Sequence, residues 1–367
     1  MSDRDFILAP EAITVKFQLA PARACLETLD LIADADEYDG LDEWIYKTRN
    51  AMSAEERHNN RMVLHGLFSY LMKQNIVDRT MPEMLDWLDD LDAIHLRDGC
   101  IAELLSHHDQ KIIKLDQEPF PVPTAEHILE NVDNFVGYFL RLYGDHVEES
   151  LLRDVYAMYS KPAYMKALMM HHLHEMWNNY LADEWQNVEP HLQACVDAFS
   201  KINFSGMSAL EIARAVTGRD FSGNVLLNDE IKGATELRFV PSPHIGPYVM
   251  ATRDDIRMDI VFRARMPEGT PSHSPHVDRS DLLVRLSALA DDTRMQILNL
   301  LLDHEELCAP QVIKLLGLSQ SAASRHLRQL TATGFLTERR REGAKCYSLN
   351  QRRIEEVIKA LEDHLLS

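Results

Sequence analysis

Before residue 265, apolar side chains recur mostly every three or four positions, the period of helices with one buried face. In "PTAEHILENVDNFVGYFLRLYG" Ile128, Leu129, Val132, Phe135, Val136, Phe139, Leu140 and Tyr143 form such a stripe, with Thr124 as cap and Gly144 as stop. "DHVEESLLRDVYAMYS" repeats the period. "KPAYMKALMMHHLHEMWNNYLADEW" opens on Pro162 and puts Met165, Leu168, Met169, Leu173, Met176 and Tyr180 on one face. Residues 51–106 read as two or three more helices. Strict alternation is rarer. It appears in "ITVKFQ", with Ile13, Val15 and Phe17, and in "IRMDIVFRAR", with Ile256, Met258, Ile260 and Phe262. "ATELRFVPSP" and "PYVMATR" complete a strand series, with Asp254–Asp255 as a hairpin turn. These signals predict a mainly α fold with a small β component (α+β): a helical N-terminal domain carrying a small antiparallel sheet.

The pattern breaks at "RMPEGTPSHSPHVDRSD", where Pro, Gly, Ser and Thr replace apolar periodicity. The expected organisation is an N-terminal domain over 1–266, a linker over 267–280 and a C-terminal domain over 281–367. In the last, "DLLVRLSALADDTRMQILNLLLD" predicts one or two helices, and "CAPQVIKLLG" a short one ending at Gly317. "SQSAASRHLRQLTATG" predicts another helix, ending at Gly334. "FLTERRR" and "AKCYSLN" around Glu342–Gly343 predict a hairpin, and "QRRIEEVIKALEDHLL" a closing amphipathic helix.

Charge sharpens this division. The 367-residue chain has a formal net charge of -20, from 38 basic and 58 acidic residues. From Asp281 onward there are 12 of each, so the whole excess lies in the first 280 residues. The five cysteines are scattered, which predicts neither a disulfide framework nor a zinc knuckle. No stretch approaches the roughly 18 consecutive apolar residues of a membrane helix. The N-terminus lacks a signal-peptide pattern, and a cytoplasmic location is expected.

Two short helices joined by "GLSQ" form a helix-turn-helix. In the second, spanning 319–331, Ala322, Ala323, Leu327 and Leu330 are available for packing. Gln320, Ser321, Ser324, Arg325, His326 and Arg328 are expected to face outward. The major groove of B-DNA admits one helix, and short polar side chains near its N-terminus reach base edges. Ser319 is placed as N-cap, where free amides and the helix dipole favour phosphate. The hairpin over 337–347 carries Arg339, Arg340, Arg341 and Lys345, a cationic wing for backbone contact.

"LSALADDTRMQILNLLL…LGLSQSAASRHLRQLTATGFLTERRREGAKCYSL" resembles the winged helix-turn-helix of ArsR-type bacterial regulators. The resemblance implies a homodimeric repressor whose first and last winged-domain helices build the interface and whose recognition helices bind a double-stranded operator. It implies DNA contacts at Ser319, Gln320, Ser321, Ser324, Arg325 and His326, and a wing from Arg339 to Lys345. Metal-sensing members carry "ELCVCDL". Here "ELCAPQV" keeps Cys308 but puts Pro310 at the second ligand, so no metal is carried over and Cys308 is expected to be a small buried apolar residue. The segment "LRFVPSPHIGPYVM…DIVFRAR" resembles the uncharacterised N-terminal domain of a long subclass of these regulators.

In the N-terminal domain, "HHLHE" places His171, His174 and Glu175 at i, i+3 and i+4, a spacing that can bind Zn²⁺ given a further ligand. His172 falls on the apolar side. His107, His108, His191, His244, His273 and His276 are available as that ligand, and nothing selects among them. Without HExxH, GxSxG, a P-loop or GxGxxG, the chain reads as a non-enzyme with no cofactor. The partners expected are the operator, a second copy of the chain and a small-molecule or protein effector at the N-terminal domain. The alternatives are a metal-dependent enzyme and a protein-interaction module, each with an autoregulatory winged tail.

Overall fold

The computed structural model describes residues 13–74, 76–115, 118–144, 147–219, 221, 225–254, 256–267, 279–341 and 344–366. Most of the expected linker, with His273 and His276, lies outside the described residues, as do Asp255 and the Glu342–Gly343 turn. The chain forms two compact units, Ala20–Pro190 and Met1–Leu19 together with His191–Ser367.

The first unit is helical. Its elements are α1 (Pro21–Ala33), α2 (Glu43–Ala51), α3 (Ala54–Lys73), α4 (Met81–Asp90), α5 (Ala93–Ser106), α6 (His108–Leu115), α7 (Ala125–Glu130), α8 (Val132–Tyr143), α9 (Glu149–Tyr159) and α10 (Pro162–Met176). A π-helical turn, Trp177–Leu181, leads into α11 (Ala182–Phe199). Capping boxes start α3 and α4: the Ser53 and Thr80 hydroxyls accept from the amides of Glu56 and Glu83, whose carboxylates bond back. The single helix expected from Thr124 to Gly144 is two. Asn131 leaves helical geometry and recaps the chain, its Oδ1 accepting from Asn134 N at 2.9 Å.

Inside α3 the helix kinks at His65–Gly66, where Gly66 adopts φ 88°. The kink frees the His65 carbonyl, which accepts from the Tyr159 hydroxyl at 2.6 Å. A Cβ on Gly66 would stand 2.5 Å from that hydroxyl oxygen and 2.9 Å from Leu104 Cδ1. Nearby, Asn60 is fully buried and ties three helices together. Its Nδ2 donates to Leu29 O at 2.8 Å and its Oδ1 accepts from His172 Nε2 at 3.1 Å. Burial pulls the His172 imidazole down to about 4, so it stays neutral in the fold.

The second unit contains β1 (Thr14–Phe17), α12 (Ala209–Thr217), α13 (Val225–Lys232), β2 (Glu236–Ser242), β3 (Val249–Asp254) and β4 (Arg257–Arg263). The strand order is β1-β2-β4-β3. Only β3 and β4 are antiparallel; β1 pairs with β2, and β2 with β4, in parallel. The expected antiparallel sheet is therefore mixed. The reason is the connection "PSPHIGPY", which carries β3 past β2's neighbour position so that β4 returns beside β2. The central strand β2 is buried along nearly its whole length, as parallel strands are. Arg238 sits opposite Asp259 in the β2–β4 register, and the buried pair is joined by two hydrogen bonds, one of them at 2.8 Å. Phe17, Phe199, Phe239 and Phe262 fill the core beneath the sheet.

The same unit continues with α14 (Arg279–Leu289), α15 (Asp292–Leu302), β5 (Leu307–Cys308), α16 (Ala309–Leu316), α17 (Gln320–Ala332), β6 (Leu336–Arg341), β7 (Ala344–Leu349) and α18 (Gln351–Leu366). Strands run β5-β7-β6, all antiparallel. Ile297, Val312, Leu327, Leu330, Phe335 and Tyr347 form its core.

Two outcomes test the helical unit. Gly66→Ala should lower unfolding free energy by about 2–4 kcal/mol, and Tyr159→Phe by about 1–3 kcal/mol, read by urea denaturation. His172 contributes a pH dependence whose sign follows from its lowered pKa. Below about pH 6.5 the unfolded imidazole takes up a proton that the fold refuses, so stability falls between pH 6.5 and about 4. His172→Gln should flatten that fall, visible as a smaller change of urea midpoint over the same range.

Candidate nucleic-acid interface

The recognition helix α17 begins where Gly317, at φ 65°, ends α16 in the left-handed conformation. Ser319 caps it, its Oγ accepting from Ala322 N at 3.2 Å and lying 3.3 Å from Ser321 Oγ. Ser319, Gln320, Ser321 and Ser324 are exposed, while Arg325 and Arg328 are half-buried beside them. The first turn therefore presents short hydroxyl and amide groups at a helix N-terminus, the chemistry that reads base edges and phosphate.

His326 does not join this surface. It is 7% exposed, and its Nδ1 lies 3.8 Å from Asp291 Oδ1. The outward placement expected for it is corrected by the helix period. Positions 323, 326, 327 and 330 share one stripe, and the other three are core residues.

A buried network aims the helix. The Arg294 guanidinium donates from Nε to Ala288 O at 2.6 Å, from Nη2 to Ser287 O at 3.0 Å and from Nη1 to Gln329 Oε1 at 2.5 Å. One side chain thereby joins the last turn of α14, the start of α15 and the last turn of α17. Asp291 caps α15 by accepting from Arg294 N at 2.9 Å. Sequence reading passed over Arg294 and Gln329. The signal was present, since Arg294 precedes Ile297, Leu298 and Leu301 by 3, 4 and 7 on the core face.

The wing is less bare than its sequence suggests. Arg340 pairs with Lys345 across the hairpin in register. Arg339 grips Glu306, with Nη2 2.9 Å from Oε1, and Arg341 Nη1 lies 3.5 Å from the same oxygen. The Arg339 hydrogen bond holds the Glu306 carboxyl below its usual range. Lys345 lies 3.0 Å from Glu338. Phosphate at this ribbon would compete with two carboxylates.

Cys308 is not the isolated buried residue expected. It is half-exposed and forms a disulfide with Cys346, 38 residues along the chain. The β5–β7 register sets the two directly opposite, a pairing that scattered cysteines do not announce.

In the helical unit, His171 and Glu175 lie 3.3 Å apart on an exposed face, and His174 is exposed on the same helix. His172 points into the core, as the helical wheel predicts. Among the described residues, no group of three His, Cys, Asp or Glu side chains comes close enough to hold a metal. His108, one of the possible further ligands, is buried, with Nδ1 2.9 Å from the Tyr138 hydroxyl and Nε2 2.8 Å from Phe120 O. Among the described residues, no helix is long and apolar enough to cross a membrane.

Residues 291–338 match the family described as bacterial regulatory protein, arsR family. The chain is 32% identical over 96 residues to the transcriptional activator HlyU of Vibrio cholerae serotype O1 (strain ATCC 39315 / El Tor Inaba N16961), covering 26% of this chain and 88% of that protein. It is 36% identical over 77 residues to the transcriptional repressor PagR of Bacillus anthracis, covering 21% of this chain and 76% of that one. Both alignments span most of the relative and only about a quarter of this chain. A capped polar recognition helix, a hairpin wing and these matches agree: through its C-terminal winged helix-turn-helix, the chain belongs to the ArsR family of bacterial DNA-binding transcription regulators.

Proposed function

We propose that the chain is a homodimeric, cytoplasmic repressor that inserts α17 into the major groove of an operator, rests its wing on the backbone and responds to an effector. The exposed face Ser319, Gln320, Ser321 and Ser324 carries this reading. Arg325 and Arg328 flank that face, and Arg339, Arg340, Arg341 and Lys345 supply positive charge at the wing. The repressor sign follows the family resemblance. Deleting the gene should raise expression from the bound promoter, and a fall would mark an activator.

Support for the dimer lies on α14 and α18, which pack against each other. Leu283 is 57% exposed, Ile358 53% and Leu365 70%. Ile358 and Leu365 stand seven residues apart on one stripe of α18, while Val357 and Ala360 face the core. Apolar area left on the two helices that the family uses for pairing is what a second copy would cover.

Fluorescence anisotropy of the full chain with its own upstream DNA, against a scrambled duplex across a salt series, tests the DNA reading. Arg340→Ala should weaken binding to both duplexes and reduce the salt slope by about 1. Gln320→Ala should act on the specific duplex alone, costing about 1–3 kcal/mol of discrimination. Absence of binding to either duplex at low salt overturns the reading. For the dimer, light scattering should show a two-chain mass for the wild type and a monomer for Ile358→Glu/Leu365→Glu, with operator affinity lost in parallel. A wild type that is monomeric while bound specifically to its operator would remove the dimer.

A further inference from the structure

The Cys308–Cys346 bond joins two strands that the β5–β7 register sets face to face. Its two ends differ in access: Cys346 is buried, whereas Cys308 is half-exposed. The other three cysteines, Cys25, Cys100 and Cys195, are buried free thiols. Burial pushes them up to about 12, about 12 and about 11, so they stay protonated and unreactive. Thiol chemistry is thus confined to one pair, and a reagent reaches that pair from the side of Cys308.

The position of Cys308 favours an open form of the pair as well as the closed one. Cys308 is the N-cap of α16, and its backbone amide donates to Gln311 Oε1 at 2.8 Å. A thiolate at that place meets the free amides of the first turn and the positive end of the helix dipole. A disulfide whose reduced form is stabilised in this way is easier to open than a structural one. For a regulator acting in the cytoplasm, as proposed above, a bond between thiols is also exceptional. Reductants there keep thiols open, and the disulfides that do form are usually transient, catalytic or redox-sensing.

Opening takes two molecules of a small thiol. The first, as thiolate, attacks Cys308 Sγ. The Cys308–Cys346 bond breaks, and its electron pair leaves on Cys346 Sγ, which takes up a proton. The second thiolate attacks the sulfur of the small thiol now bound to Cys308. Cys308 leaves as a thiolate, and the two small thiols depart as one disulfide. Closing is the reverse, with that small disulfide as oxidant.

We propose that Cys308 and Cys346 form a reversible redox site, opened by a small thiol and closed by a small disulfide, whose state sets operator affinity. The closed bond ties the start of α16 to the wing strand β7. Without it, β5 holds β7 through only two residue pairs, Leu307 with Tyr347 and Cys308 with Cys346. Opening therefore loosens the wing from the first helix of the helix-turn-helix, and binding DNA must order it again. The effect on the operator rests on the DNA-binding reading above; the exchange itself is read without DNA.

Alkylation of the full chain with iodoacetamide, after acid quenching and unfolding, reads the bond by mass across glutathione buffers from fully oxidised to fully reduced. Of the five cysteines, three should be alkylated at the oxidised end and all five at the reduced end. Returning the protein to oxidised glutathione should restore three. Three throughout marks a locked structural bond, and five throughout marks no bond; either result overturns the site. Cys308→Ser/Cys346→Ala keeps a favoured N-cap residue and should give three at every ratio. Anisotropy with the upstream DNA is then measured at both ends of the series. The closed wild type should bind at least about fivefold more tightly than the open form, and the double variant should show the open form's affinity at both ends. Equal wild-type affinity in the two states, or a redox effect that persists in the double variant, removes the regulatory role. A count that moves between three and five without specific DNA binding in either state would instead sink the DNA reading and leave the exchange.

Discussion

The Arg294 guanidinium fixes the geometry of the helix-turn-helix. A buried cation is costly unless every donor is used. Here three donors meet two backbone carbonyls of α14 and the Gln329 amide oxygen of α17. The bonds form only if the end of α14, the start of α15 and the last turn of α17 converge within one side chain's reach. An apolar contact tolerates sliding, whereas these hydrogen bonds are directional and set the rotation of α17 about its axis. The exposed stripe of Ser319, Gln320, Ser321 and Ser324 follows from that rotation, and so does the burial of His326.

Charge works at two ranges. At long range, the acidic excess lies wholly before Asp281, so repulsion from phosphate comes from residues outside the winged helix. At short range, Glu306 and Glu338 sit among the wing cations and keep Arg339, Arg341 and Lys345 ordered. Pairs this exposed add little to stability. Under the proposed function, a phosphate oxygen at the ribbon would have to displace one of these carboxylates.

Much of the helical architecture was legible because period and caps are local. Pro162 opens α10, Gly317 ends α16 and Ser319 caps α17, and each follows from a few adjacent residues. What escaped was set by distant partners. The parallel placement of β4 beside β2 depends on where a long connection returns. The Cys308–Cys346 bond depends on a register between strands 38 residues apart. The break at Asn131 was local, but eight apolar residues in period masked one polar residue able to recap the chain. Of the DNA-facing residues expected, His326 was misplaced although its own stripe, shared with Ala323, Leu327 and Leu330, marked it as inward. The core-face period marked Arg294 as inward, but its partners, like those of Glu306, are defined only by what lies across the fold.

The disulfide at the foot of the wing has a mechanical meaning. β5 is only two residues long, too short to hold the hairpin by hydrogen bonds alone, yet Cys308 is also the residue from which α16 starts. A covalent link from there to β7 makes the first helix of the helix-turn-helix and the arginine ribbon a single rigid lever. The partner strand β6 begins at Leu336, four residues after the end of α17. A small tilt where the recognition helix ends would therefore not be absorbed by a pliant hairpin. It would be passed on into the strands of the ribbon.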